Sequence, residues 1–167
     1  MEITAAMVKE LREKTGAGVM DCKKILLQTV GDMEKASQLL REKGLDKLEK
    51  KSDRVASQGL VEAYVHFGNR LGTMVEVNCE TDFVANTPEF KELAHNLALQ
   101  ITAAAPQFVS REELPEGSEA DPEKVCLLQQ KFIKDESKTI KDIIGDTVAR
   151  VGEKISVRRF VRFELGK

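Results

Sequence analysis

The sequence predicts an α+β protein, in which a three-helix domain precedes an antiparallel sheet with packed helices. Apolar residues recur at helical spacing over residues 1–45, and after residue 58 the period changes to the alternation typical of strands. Gly68 and Asn69 interrupt this alternation with a hairpin-turn signal. Because the helical and strand patterns occupy separate stretches, we predict a three-helix domain at residues 1–45, a linker at residues 46–57 and an α+β core domain at residues 58–167.

The first domain is expected to contain three short helices. The apolar face of its first helix consists of Ile3, Met7, Val8 and Leu11. A glycine-containing turn at residues 15–18 ends this helix, and a second helix runs from residue 19 to about residue 30. Asp32 is a suitable N-cap for the third helix, and Gly44 predicts its end, because glycine readily adopts the left-handed conformation found after helices. The charged residues 46–57 form a linker or a continuation of this helix.

The core domain is expected to begin with a β-hairpin. One face of its return strand consists of Leu71, Thr73, Val75, Val77 and Cys79. Thr87 and Pro88 predict the start of a helix, since threonine caps helices and proline suits the first helical position. This helix is expected to stop before Pro106, and the acidic residues 110–122 predict an exposed loop.

A last helix and a last strand complete the predicted core. Ser137 is the predicted N-cap of the helix, and Gly152 is its predicted end. Simple alternation predicts one face of the final strand, formed by Ile155, Val157, Val161 and Phe163.

Composition excludes several classes of protein. The 167 residues are 41% apolar and 32% charged, which is typical of a globular chain. A net charge of −2 does not favour direct binding to nucleic acid, and acidic neighbours dilute the basic clusters at residues 47–51 and 158–159. An RNA-binding function is therefore less favoured than the two functions described at the end of this section. The chain has no apolar run of bilayer length and no secretory or transit pattern, so we expect a cytoplasmic protein without membrane contact.

No residues suggest a cofactor, a metal site or enzymatic chemistry. The cysteines and histidines are scattered, which favours a reducing compartment and argues against zinc. Phosphate-binding, dinucleotide-binding and nucleophile-elbow motifs do not occur in their required contexts. A hydrolase built from Cys79, His95 and Asp82 is disfavoured, because Cys79 lies on the apolar face of a predicted strand. We therefore do not expect an enzyme.

Thr81, Asp82, Phe83 and Val84 form an unusual strand-to-helix connection. Such connections normally carry polar turn residues, whereas this one contains a large aromatic residue after an aspartate. One interpretation makes Phe83 a plug of the protein's own core, with Asp82 satisfying local N–H groups. The other makes Phe83 an exposed wedge, beside a carboxylate, that enters a pocket of a partner.

A second feature lies on the second predicted helix. Met20 and Leu27 point together about a quarter-turn away from the face that contains Val19 and Cys22. This apolar pair either widens the buried stripe of the helix or forms a docking patch for a partner.

These features resemble those of the elongation factor Ts family. The resemblance is carried by three motifs, at residues 8–24, 76–85 and 158–164, in order over almost the whole chain. It implies a ubiquitin-associated-like helical domain that docks on the GTPase elongation factor Tu. It also implies guanine-nucleotide exchange, in which residues 81–84 disturb the elements of elongation factor Tu that hold Mg²⁺. Arg12, Val19 and Met20 would then belong to the docking surface, together with Leu27 of the apolar pair.

The sequence departs from the family pattern in one respect. It has a single core repeat, and an acidic loop at residues 115–123 stands where even short members tend to carry extra helix. We therefore expect that two copies act together as a homodimer. The alternative function is a ubiquitin-associated-like interaction module without exchange activity, which explains the three helices but not residues 81–84.

Overall fold

The computed structural model describes residues 3–50 and 53–167. The first stretch contains α1 (Ala5–Thr15), α2 (Val19–Gln28) and α3 (Met33–Lys50). The second contains β1 (Gln58–Val65), β2 (Leu71–Cys79), α4 (Asp82–Ala85), α5 (Pro88–Ala104), α6 (Pro122–Val125), β3 (Lys131–Phe132), β4 (Asp135–Thr139), α7 (Ile140–Val151) and β5 (Ile155–Glu164). Helices come first and an antiparallel sheet with helices follows, so the α+β prediction is confirmed.

Local side-chain caps set the ends of the first helices. The Thr4 hydroxyl accepts a hydrogen bond from the Met7 N–H at 3.3 Å, and Gly16 ends α1 with a φ of 70°. Asp32 accepts hydrogen bonds from Glu34 and Lys35 at 3.1 and 3.0 Å, which confirms it as the cap of α3. The three helices enclose a small core of Val8, Leu11, Ala17, Cys22, Ile25, Leu26, Ala36 and Leu40.

The third helix does not end at Gly44, as the sequence suggested, but continues to Lys50. Gly44 is instead a packing residue, because a Cβ atom there would lie 3.1 Å from the carbonyl oxygen of Gly145 in α7. Two glycines thus allow the backbones of α3 and α7 to approach each other closely. Residues 46–50 of the predicted linker are therefore a continuation of the helix, while residues 51 and 52 lie outside the described residues.

The main sheet is antiparallel, with the strand order β1-β2-β5. One face of β2 is buried as predicted, and helices α5 and α7 contribute to the same core. Thr87 caps α5, since its hydroxyl accepts a hydrogen bond from the Phe90 N–H at 3.3 Å. The fully buried residues of this core include Val75, Val77, Phe90, Leu97, Ile101, Ile140 and Val148.

A β-bulge interrupts the pairing of β2 with β5. Val77 pairs with Val157 and Glu76 pairs with Arg159, so that Arg158 is an extra residue on β5. A bulge of this kind moves every following side chain to the opposite face of the sheet, because side chains alternate with a period of two.

The bulge overturns part of the predicted face of β5. Ile155 is buried as expected, but Val161 and Phe163 are 42% and 68% exposed on the opposite side of the sheet. Phe160 packs against the core instead. The prediction of a single apolar face is therefore wrong for Val161 and Phe163.

The cap of α7 also differs from the prediction. Thr139 is the N-cap, and it forms a reciprocal capping box with Asp142. Ser137 lies in β4, where its N–H and hydroxyl both donate to Asp135. Gly152 ends α7 with a φ of 78°, as predicted.

Candidate functional site

The connection after β2 is a rigid corner rather than an irregular loop. Thr81 caps the single turn of α4, and its hydroxyl accepts a hydrogen bond from the Val84 N–H at 3.4 Å. Val84 and Ala85 are buried in the main core at 9% and 7% exposure. Two of the four predicted site residues, Thr81 and Val84, therefore attach the corner to the protein.

The other two residues of the corner point outward. Phe83 is 82% exposed, and Asp82 is also exposed. The interpretation of Phe83 as a plug of the protein's own core is therefore wrong. An exposed phenylalanine beside a carboxylate remains, on a corner that the half-buried Thr81 and the buried Val84 attach to the protein, and this arrangement is typical of an anchor for a protein partner.

A carboxylate from a distant part of the chain holds this corner. The Thr81 N–H and hydroxyl donate hydrogen bonds to the two oxygens of Glu153, at 2.9 and 2.6 Å. Glu153 lies in the turn between α7 and β5, far from Thr81 in sequence. No local pattern could have indicated this contact, and our sequence analysis missed Glu153.

The predicted docking residues on α2 are exposed. Val19, Met20 and Leu27 are 47%, 76% and 58% exposed, so Met20 and Leu27 do not widen the buried stripe. The buried stripe of the helix consists of Cys22, Ile25 and Leu26. Arg12 is also exposed, in the last turn of α1, one glycine turn before α2.

The side of the main sheet opposite α5 carries several exposed apolar side chains. The exposed apolar side chains of this outer sheet face are those of Val61, Val65, Met74, Val161 and Phe163, each between 42% and 68% exposed, and they lie beside the ion pair of Glu76 with Arg159. The sequence analysis missed it, although β1 is apolar on both faces, which is typical of a strand that is covered on both sides. The contribution of β5 could not be predicted, because it depends on the bulge.

The geometry does not support the disfavoured hydrolase. Cys79 is fully buried, and burial raises the pKa of its thiol, which donates to the Thr81 carbonyl oxygen. His95 is hydrogen-bonded to Glu62 at 3.0 Å. Within residues 3–50 and 53–167, no group of three or more metal-binding side chains occurs, and no helix is long and apolar enough to cross a bilayer.

Fold and site together define a class of protein, a two-part α+β protein with exposed apolar side chains on its helical domain and at a corner of its sheet domain. The family model described as Elongation factor TS matches residues 2–124 and 119–167. The chain is 49% identical to elongation factor Ts of Thermoanaerobacter sp. (strain X514), over 99% of this chain and 96% of that protein. It is 51% identical to elongation factor Ts of Heliobacterium modesticaldum, over 99% of this chain and 91% of that protein. The chain belongs to the elongation factor Ts family of translation elongation factors.

The comparisons also show that the chain is shorter than a relative that it matches. The alignment with the Thermoanaerobacter protein spans 195 residues, so the relative contains residues that this chain of 167 lacks. The two stretches matched by the family model meet at residues 119–124, in the exposed acidic part of the chain.

Proposed function

We propose that this protein is a guanine-nucleotide exchange factor for elongation factor Tu, acting in the cytoplasm during protein biosynthesis. It carries out no covalent chemistry and needs no cofactor or direct contact with nucleic acid. The corner at residues 81–84 disturbs the Mg²⁺ and phosphate site of the GTPase, while Arg12, Val19, Met20 and Leu27 dock on it.

The single observation that carries this proposal is the exposure of Phe83, which is 82% exposed on a corner attached by buried neighbours. Binding through an aromatic side chain presented in this way does not require ordering of the backbone, because the backbone that carries it is already helical. Mg²⁺ demands near-ideal octahedral geometry in GTPase sites, so a small displacement of its ligands weakens nucleotide binding. A wedge on a rigid support is suited to this displacement.

Thermodynamic linkage relates the binding of this protein to the binding of GDP, and it sets how far the protein can weaken GDP binding. Suppose that the protein binds best to the nucleotide-free GTPase. The factor by which bound GDP weakens the affinity of the GTPase for the protein then equals the factor by which the bound protein weakens its affinity for GDP. Complete burial of one phenylalanine contributes about 1.5–3 kcal/mol, and each tenfold in affinity corresponds to about 1.4 kcal/mol. Phe83 alone therefore accounts for about one or two decades of the exchange effect. The docking residues on α1 and α2 supply the remainder.

We further propose that two copies act together through their outer sheet faces. The chain has a single three-stranded core sheet, one side of which packs on its own helices while the other exposes Met74, Val161 and Phe163. A second copy offers an identical apolar face, and a two-fold axis brings the two faces together in a sheet-on-sheet sandwich. Each protomer would then contribute one corner and one set of docking helices.

The test is release of a fluorescent GDP analogue from elongation factor Tu, followed by stopped flow. The protein should accelerate release, and Phe83→Ala should reduce the acceleration by about one to two decades while the fold is unchanged. Phe67→Ala is the matched control, because Phe67 is an even more exposed phenylalanine, at the hairpin tip. An unaltered rate with Phe83→Ala would refute the wedge.

The competing function is a ubiquitin-associated-like interaction module without exchange activity. The same assay distinguishes the two, because such a module binds a partner without changing GDP release. The exposure of Asp82 and Phe83 favours the exchange function. A module that acts through its three helices alone gives no reason for an exposed phenylalanine and carboxylate outside those helices.

A further inference from the structure

The turn between α7 and β5 braces the corner at two successive residues. Glu153 accepts hydrogen bonds from the Thr81 N–H at 2.9 Å and from the Thr81 hydroxyl at 2.6 Å. Hydrogen bonds to an ionised carboxylate are stronger than those between neutral groups. Because both donors belong to the residue that caps α4, Glu153 fixes the start of the turn that carries Phe83.

A second set of contacts ties the preceding residue to the same turn. The Glu80 carboxylate accepts a hydrogen bond from the Lys154 N–H at 2.6 Å and from the Arg54 guanidinium at 3.3 Å. The Lys154 ammonium group in turn donates to the Arg54 carbonyl oxygen at 2.8 Å. Glu80 and Thr81 are therefore both attached to residues 153–154.

The wedge needs such a brace. One turn of helix is not stable by itself in water, because the cost of nucleation exceeds the gain from a few hydrogen bonds. α4 has only four residues, and Phe83 gains little from packing because it is exposed. Val84 and Ala85 attach the corner by packing in the main core, whereas Glu153 restrains it by hydrogen bonds to Thr81.

The brace also connects the corner to the docking helices. Glu153 follows the C-cap of α7, and α7 packs closely on α3 where Gly44 faces Gly145. α3 shares the small N-terminal core with α1 and α2, which carry the docking residues. Helix α7 thus contacts α3 of the docking domain, and the turn that follows α7 holds the corner that carries Phe83.

We propose that Glu153 is a positioning residue for nucleotide exchange, which holds the Phe83 corner in a fixed direction relative to the docking helices. The inference rests on the proposed function. Without the carboxylate, docking still occurs, but the corner must be ordered during each exchange event. Glu153 therefore acts on the maximal rate of exchange and not on the concentration at which the rate is half-maximal.

The experiment combines exchange kinetics with a double-mutant cycle on the full chain. Glu153→Ala should lower the maximal rate of GDP release from elongation factor Tu roughly tenfold, with an unchanged half-saturating concentration. Glu153→Gln should lose less, because its amide oxygen still accepts one of the two hydrogen bonds. In the Phe83→Ala background the same Glu153→Ala change should have little further effect, since the side chain that it positions is gone.

Hydrogen exchange provides a readout that is independent of the partner. The Thr81 amide should lose protection in Glu153→Ala, whereas amides in the middle of α5 should keep theirs. Glu116→Ala, in the exposed acidic loop, is the matched control and should behave as the wild type in both measurements. Should Glu153→Ala fail to fold, Glu153→Gln and Glu153→Asp repeat the test, because both leave in place the Thr81 hydroxyl that also caps α4.

The outcomes separate the two proposals. The positioning role alone would be overturned if Glu153→Ala exchanged at the wild-type maximal rate. It would also be overturned if Glu153→Ala lowered the maximal rate by the same factor with and without the Phe83 ring. If Phe83→Ala itself exchanges normally, the wedge is wrong, and the role of Glu153 falls with it.

Discussion

At the scale of single residues, exposure distinguishes the side chains on the surface of the corner from those that attach it to the core. Phe83 is 82% exposed while its neighbour Val84 is 9% exposed, so adjacent residues of one motif have different environments. The sequence placed both residues in the same site, but it left open whether Phe83 faced the interior. Only the burial of Val84 and Ala85 decides this, because one turn of helix cannot direct all of its side chains inward.

The proposed docking residues lead to a prediction at the same scale. Met20→Glu should weaken the complex with elongation factor Tu by at least about tenfold, because it places an unpaired charge in an apolar contact. Isothermal titration calorimetry measures this affinity. Met20→Leu keeps an apolar side chain of similar size and should bind nearly as the wild type does. Equal affinity of the glutamate variant would argue that Met20 is not in the interface.

At the scale of elements, the sequence predicted the N-cap residues of the helices correctly, with one exception. Asp32 and Thr87 cap α3 and α5 as expected, but the cap of α7 is Thr139 and not Ser137. Both residues are good capping types, but the capping-box spacing distinguishes them, because Asp142 lies three residues after Thr139 whereas Ile140 lies three residues after Ser137. This signal was present in the sequence, and the prediction of Ser137 as the cap overlooked it.

The corrected cap is testable by urea unfolding. Thr139→Ala should lower the free energy of unfolding by about 1 kcal/mol, because it removes the acceptor of the Asp142 N–H and one half of the capping box. Ser137→Ala is the control and should change it by less than about 0.5 kcal/mol, as is usual for an exposed surface residue. The reverse order of effects would contradict the assignment of the cap.

Glycine was the least predictable signal at this scale. Gly152 ends α7 with a left-handed conformation, whereas Gly44 lies inside α3 and allows close contact with α7. Both glycines follow an apolar helical pattern, so their local sequences look alike. What differs is the element that packs against each of them, and this is a property of the tertiary structure.

At the scale of the whole molecule, the outer sheet face determines the expected assembly. We expect the wild type to sediment as a dimer at micromolar concentration and Phe163→Glu to sediment as a monomer, because a buried unpaired carboxylate opposes association. Ile133→Glu is the control, since Ile133 is 44% exposed outside the main sheet. A wild-type monomer that remains active at low concentration would exclude the two-copy proposal.

The sequence by itself determined the order and type of the main elements, most of their caps and the motifs at residues 8–24 and 76–85. These features depend on residues within a few positions of one another, where spacing and side-chain type are sufficient. The tertiary structure decided the exposure of Phe83, the course of α3 through Gly44, the outer sheet face and the contact of Glu153 with Thr81. Each of these depends on elements that are far apart in the chain, and the bulge at Arg158 shows that one extra residue in a strand reverses the faces expected from alternation.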